Sequence, residues 1–377
     1  MTSVMTEIAD TRAGFGLPAE VRHRVLGEWA TGVELSDVVG IAGLLRRANA
    51  VPPVRPAVRC GAECLDYGQV FARLARPGAR GAADSLDAAM HTLAALAADV
   101  EAPVRVRSGA GTVAMSPKAV TAAVADRRAV ALERRWDCVD PALGSADVRL
   151  VVGRWDSADV LVELLAALAD GATLVVPTPA ERADPAALAE VVAARSVTHV
   201  VAAPETLRDW SGLPGMPSVR RWDVVGSTCS IELHDHLREL SPEAVASFAY
   251  RLPEYAGAVA RGPLDGTGRL RPIPGARVLV LDEHRQPVPP GTVGDVYAGG
   301  AALAEEAVAQ DFPERFVDDP FPVDGTAGPL VRTGARASWT AQGWLVLADE
   351  PGDASARPAA RRASGEIRAV GGSWRRS

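Results

Sequence analysis

Apolar and polar positions fall into three textures along the chain. Over residues 18–29 the apolar side chains recur at helical spacing, with Val21, Val25, Leu26 and Trp29 on one side and Arg22, Arg24 and Glu28 on the other. Two more helices are predicted at 66–76 and 85–100, separated by the flexible PGARGAAD at 77–84. The stretch 104–135 reads as a short β-prone piece, a glycine-rich loop and a helix from about Pro117. From residue 147 the pattern becomes regular. Apolar runs at 148–153, 173–176, 198–203, 222–225 and 246–249 read as buried strands, with helical stretches at 160–169, 185–194, 204–210 and 231–240 between them. Strand, helix, strand in this rhythm predicts a parallel sheet with crossover helices, whose ligands bind beyond the carboxyl ends of the strands. Past Pro263 the texture changes again. Short β runs at 277–282, 293–298, 330–333 and 344–347 between Gly and Pro turns predict an antiparallel, barrel-like part.

These textures divide the 377 residues into an N-terminal linker-like helix and lead-in (1–60), a shortened α/β core (61–262), a β-rich subdomain (263–348) and a small, polar, Arg-rich tail (349–377) that reads as disordered. The composition, 48% hydrophobic and 23% charged, is that of a globular protein. A net charge of -7 argues against nucleic-acid phosphates as the main partner. The start lacks the basic and apolar regions of a secretory signal, and the apolar run at 160–169 is broken by Glu163 and Asp170, so a cytoplasmic protein without a membrane span is expected. The four cysteines, Cys60, Cys64, Cys138 and Cys229, read as reduced, inert thiols. Cys60 and Cys64 have no second close Cys/His pair to complete a zinc site, and His234 and His236 stand alone on a polar stretch.

Chemistry narrows the choice further. Among 40 basic residues there is one lysine, Lys118, so a mechanism needing two is excluded. Gly109, Gly111 and Ala114 mimic a dinucleotide fingerprint in spacing, but Pro117 interrupts the following helix and no acidic residue ends a second strand at the usual distance. No G-x-S-x-G elbow supports a serine hydrolase.

Three strings, in order over about 70 residues, carry a more specific signal. They are GARVLVLDEHRQPVPPGTVGDVYAGGAALA at 275–304, ERFVDDPF at 314–321 and VRTGARASWTAQGWL at 331–345. Together they resemble the adenylate-forming (AMP-binding) superfamily, and within it the adenylation domains of nonribosomal peptide synthetases. PAEVRHRVLGEWATG at 18–32, LDYGQVFARLA at 65–75, ADGATLVVP at 169–177 and VTHVVAAPETLRDW at 197–210 extend the likeness upstream. The resemblance implies the large subdomain of an adenylation domain, parallel β-α units followed by a β-rich part. A long segment after Arg76 is missing, and the C-terminal lid subdomain with its catalytic lysine is expected to be absent.

Such enzymes bind ATP and Mg²⁺, and the resemblance assigns a vestigial site residue by residue. SGAGTVAMSPKAV at 108–120 stands for the phosphate loop, keeping Ser108, Gly109, Thr112 and Lys118 in type. SFAYRLPEY at 247–255 keeps Tyr250 for adenine stacking and Glu254 for the metal, while Arg251 replaces a glycine and Pro253 a threonine. Thr333 survives in the RTG string, but Ala335 replaces the aspartate that holds both ribose hydroxyls. Methyl for carboxylate leaves two nucleotide donors without an acceptor. For the substrate end, Asp156 and Asp159 are the available acids, with Ala158 at the family position. No catalytic residue and no cofactor are expected. The implied function is a catalytically degenerate adenylation-like domain, a structural or docking element in nonribosomal peptide biosynthesis. Its implied partners are a condensation domain, a carrier protein, a tailoring enzyme or an MbtH-like protein, the last from the GDVYAGG and ERFVDDPF region. The alternative is a divergent ligase that activates a carboxylic acid with ATP and Mg²⁺, its lid supplied in trans.

Overall fold

The computed structural model describes residues 17–32, 39–76, 78, 81–98, 102–108, 111–129, 144, 146–230, 232–304, 315–322 and 328–348. Cys138, Gly109 and the 349–377 tail lie outside them.

The N-terminal amphipathic stretch is helical: α1 (Ala19–His23) widens into a π-helical turn at Arg24–Glu28, and α2 (Ile41–Asn49) follows. A hairpin, β1 (Pro56–Cys60) and β2 (Glu63–Asp66), leads into α3 (Tyr67–Ala75). Asp66 and Gln69 close a reciprocal capping box at the start of α3. Helix α4 (Leu86–Ala98) precedes a second hairpin, β3 (Val104–Ser108) and β4 (Gly111–Met115), and then α5 (Pro117–Ala129). The predicted β-α alternation follows as β5 (Val148–Val151), α6 (Ala158–Asp170), β6 (Thr173–Val175), α7 (Pro179–Arg182), α8 (Pro185–Arg195), β7 (His199–Ala202), α9 (Pro204–Arg208), β8 (Arg221–Gly226), α10 (Glu232–Leu240) and β9 (Val245–Arg251). The β-rich part contains β10 (Ala258–Pro263), β11 (Arg269–Pro272), β12 (Ala276–Leu281), β13 (Gly294–Gly300), β14 (Phe316–Asp318), β15 (Pro329–Trp339) and β16 (Leu345–Leu347).

Strands β6, β5, β7, β8 and β9 are parallel neighbours in that order, as crossover helices require, and β1 adds to β6 in parallel. The antiparallel strand β10 then joins β9 to β11. Through it the α/β and β-rich parts share one sheet, in the order β12-β13-β15-β16-β11-β10-β9-β8-β7-β5-β6-β1-β2 with β14 against β15. The N-terminal turn docks on the far end of this sheet. Val278 N–H donates to the Ala30 carbonyl at 2.7 Å and Gly32 N–H to Ala276 at 3.1 Å, while Trp29 packs on Trp339 with centroids 6.2 Å apart. Gly343, at φ +75°, makes room for that indole; a Cβ there would lie 2.6 Å from it.

A buried ionic cluster lies between the parallel sheet and helices α5 and α6. Asp223 on β8 accepts from Arg127 at 2.6 Å, from His199 Nε2 at 2.8 Å and from Arg221 at 3.1 Å, and it also contacts Ser247 and Arg261. Arg127 in turn meets Glu163. Burial alone would raise the Asp223 carboxyl, but the Arg127 and Arg221 charges and the His199 hydrogen bond outweigh it and hold it well below the carboxylate range. Burial, reinforced by Arg127, pushes His199 well below its ordinary value despite Asp223. His199 is therefore neutral; its Nε2 lies between the Asp223 carboxylate at 2.8 Å and the Arg127 guanidinium at 2.5 Å, and Nδ1 has no hydrogen-bond partner among the described residues.

Linkage fixes the sign. The unfolded chain protonates His199 near pH 6.5 whereas the native state does not, so stability is full above about pH 6.5 and falls as pH drops, by about 1.4 kcal/mol per pH unit for this group. Asp223, with its folded value depressed, adds a second loss below about pH 4. Urea unfolding at pH 7.5, 6.5 and 5.5 should show this slope, and His199→Gln should flatten it.

Candidate functional site

Of the predicted site residues, Asp156, Asp159, Tyr250 and Glu254 lie at the carboxyl ends of the parallel strands or just beyond them. After β5 the chain turns at Arg154–Ser157, and the Ser157 hydroxyl accepts the Val160 N–H at 3.2 Å to cap α6. Asp156 and Asp159 flank that cap, where the positive end of the helix favours carboxylates. Neither is free. Asp156 holds Arg154 in two hydrogen bonds of 2.9 and 3.1 Å and lies 3.5 Å from Arg107. Burial tends to raise the Asp156 carboxyl, but the Arg154 hydrogen bond and charge, with Arg107, keep it below its ordinary value. Asp159 pairs with Arg251 at the end of β9. Burial pulls the Arg251 guanidinium down to about 10, so it stays charged at neutral pH and the contact is ionic. Ala158 is buried at the first turn of α6.

The glycine-bearing segment departs from the expected loop. It is a pair of antiparallel strands, with Ser108 opposite Gly111 at one end and Val104 opposite Met115 at the other. Its main chain is committed to a strand ladder instead of an open cradle of N–H groups. Ser108 is buried, Thr112 is exposed opposite Arg107, and Arg107 N–H donates to the Asp156 carbonyl at 2.6 Å. Lys118 is exposed on the second residue of α5. Beyond the far end of a five-residue strand, it starts about 14 Å from Gly111 at the usual strand rise. The structure does not bring Lys118 to Ser108.

Tyr250 is buried within β9, between Ala260 of β10 and Gly226 of β8. Glu254, in the following turn, is also buried. It pairs through Oε1 with Arg315, and its Oε2 has no hydrogen-bond partner among the described residues. Arg315 also donates to the Arg332 carbonyl at 3.3 Å, joining the Glu254 turn to the RTG segment of β15. There the ladder to β13 shifts register and Gly334, at φ +80°, lets the strand bulge. The Thr333 hydroxyl accepts the Ala335 N–H at 3.0 Å, and Ala335 presents a methyl at the bulge.

The structure therefore brings Asp159 to the Tyr250–Glu254 segment, and that segment to Thr333 and Ala335, each time through an arginine. This arrangement fits ATP and Mg²⁺ poorly. A methyl stands where the resemblance puts the ribose acceptor, the glycine-bearing strands are paired, Lys118 lies elsewhere and Glu254 already pairs with Arg315. Sequence reading marked Arg251 as a lost glycine but missed its partner, which is 92 residues away. Arg107, Arg154 and Arg315 were missed altogether, and their charge opposite known acids was the available signal. Among the described residues no group of three His, Cys, Asp or Glu is disposed to hold a metal ion, and Cys60, Cys64 and Cys229 are free thiols. Burial raises the Cys60 thiol and pushes Cys229 up to about 11, so both are poor nucleophiles at neutral pH. No described helix is long and apolar enough to cross a membrane.

Comparison with known proteins agrees with this architecture. The AMP-binding enzyme family model matches residues 153–306. Novobiocin biosynthesis protein H of Streptomyces niveus is 36% identical over 194 residues, 50% of this chain and 31% of that protein. Phosphinothricin tripeptide synthetase PhsB of Streptomyces viridochromogenes is 35% identical over 219 residues, 55% of this chain and 18% of that protein. The chain thus spans about a third or less of the curated relatives it matches. Among solved structures, the nonribosomal peptide synthetase FmoA3 superposes with a TM-score of 0.73 at 16% identity, covering 89% of this chain and 45% of that one. The fused adenylation-PCP di-domain NpsA-ThdA of Klebsiella oxytoca gives 0.64 at 14% identity, covering 83% and 72%.

Proposed function

The chain is a member of the adenylate-forming superfamily, and from that premise we propose that it is a catalytically degenerate adenylation-like domain, a structural or docking element in nonribosomal peptide biosynthesis. The observation that carries this reading is the Arg251–Asp159 ion pair. Arg251 stands where the resemblance has a glycine, and its guanidinium takes up one of the two acids available to a substrate ammonium. The other acid, Asp156, is held by Arg154 and Arg107. Internal cations thus satisfy the groups that a ligand would otherwise meet, and a pre-formed ion pair must be broken before a substrate amine can enter.

The partners follow from the relatives. Adenylation domains joined to carrier modules are among its structural neighbours, so a carrier protein or a condensation domain is the partner class to test first. A tailoring enzyme or an MbtH-like protein is a further choice, resting on the GDVYAGG and ERFVDDPF strings alone.

Calorimetric titration with ATP and Mg²⁺ should give no heat of binding, and pyrophosphate exchange should stay at background with any carboxylic acid. Micromolar ATP binding together with exchange would falsify the proposal. One observation favours the second reading, a divergent ligase using ATP and Mg²⁺: Glu254 Oε2 is buried and without a partner among the described residues, a vacant acceptor of the kind a metal ion takes. The same titration separates the two.

A further inference from the structure

A second concavity lies at the opposite edge of the parallel sheet from the site above. Trp222 pairs with Ala246 at the amino ends of β8 and β9, and Pro263 of β10 lies against Ser247 beside them. Helix α10 roofs this corner with His234, Leu237 and Arg238, leaving a half-open cavity of about 250 Å³. Its walls are largely apolar: Trp222, Leu237, Val245, Ala246, Pro263 and Leu264.

The polar groups around it are unequally satisfied. Asp265 is taken up by Arg269 at 3.0 Å and by the Thr267 turn. His234 lies 3.3 Å from Asp235. Trp222, only 1% exposed, closes the floor, with its indole N–H buried out of reach of the cavity. Arg238 is exposed and makes no ion pair with a described residue. What is left over is therefore a guanidinium at the rim of an apolar wall.

We propose that this cavity is a binding site for a small carboxylate with an aromatic or short alkyl body. The apolar part would lie against Leu237, Ala246 and Leu264, and the carboxylate would face Arg238. Size sets the class. An apolar cavity of about 150 Å³ holds benzene and drug-sized ligands need 300 Å³ or more, so this one takes a ring with a short acid arm. Arginine sets the charge, because its fork of donors matches a carboxylate. A cationic or purely apolar occupant would leave those donors unanswered. The site is separate from the acids and arginines at the carboxyl ends, and its existence does not depend on the reading proposed for them.

The test is calorimetric titration of the whole protein with phenylacetate and, as an uncharged mimic, 2-phenylethanol. Phenylacetate, with ten heavy atoms, should bind with a dissociation constant of about 1 mM or tighter. Phenylethanol should bind at least tenfold more weakly. Arg238→Gln, an exposed change that the fold tolerates, should shrink that difference to less than threefold, and Ala246→Leu should fill the cavity and abolish both signals. No phenylacetate binding at 10 mM, equal affinity for the two compounds, or an unchanged preference in the Arg238 variant would each overturn the proposal.

Discussion

Asp223→Ala is expected to destabilise the native state by about 3–5 kcal/mol, the range found when one partner of a buried ion pair is removed. The carboxylate is the hub onto which Arg127, Arg221, Arg261, His199 and Ser247 converge from four strands and a helix. Its removal leaves buried guanidinium groups facing one another across a cavity, with Glu163 and Asp126 as the remaining acids against three arginines. Asp223→Asn keeps the volume and some hydrogen bonds but not the charge, and should cost less. Urea unfolding at pH 7.5 measures both, the variants sharing the wild-type slope with a lower midpoint. A loss under about 1 kcal/mol for the alanine variant would mean that the arginines find other partners.

The second large effect concerns the missing ribose acceptor. If the bulge at Thr333–Ala335 is the remnant of a nucleoside site, Ala335→Asp supplies a carboxylate for two hydroxyl donors. Each hydrogen bond to a charged group contributes about 1.5–3 kcal/mol. Adenosine isolates this contribution, because it has no phosphate to feel the altered hairpin. Its affinity should rise at least about 100-fold, from weaker than about 10 mM into the range near 100 µM. Adding Arg251→Gly should change adenosine binding little but open the acid-binding end. Unchanged adenosine affinity in Ala335→Asp, in a protein that remains folded by circular dichroism, would remove the nucleoside assignment of the bulge.

Much of the fold was legible because the buried strands β5 to β9 are near-continuous apolar runs, the pattern a sheet covered on both faces imposes. Pro117, Pro185 and Pro204 marked helix starts correctly, each at the first helical residue. Strands β10 and β11 went unread because they carry Arg261, Arg269 and Arg271, charges that look like a loop until the stacking of Arg269 and Arg271 on Trp344 and the burial of Arg261 are seen. Strand β4 was read as a loop because Gly109 and Gly111 drew attention to flexibility, whereas Thr112 to Met115 alternate in burial as a strand does. Family strings located the acids of the candidate site but not their partners. An ion pair such as Arg315 with Glu254 joins positions whose proximity only the tertiary fold creates.

The unbroken succession of thirteen strands has a mechanical consequence. Neighbouring strands lie about 4.8 Å apart, so the twelve gaps give a ribbon whose contour is about 58 Å. The ribbon curls, bringing β12 back beside β10 and β11, and β10 is bonded to β9 on one side and to β11 on the other, so the two parts cannot separate without breaking backbone hydrogen bonds. A load applied to the β-rich part therefore passes into the α/β part through the sheet itself, even where no chemistry takes place between them.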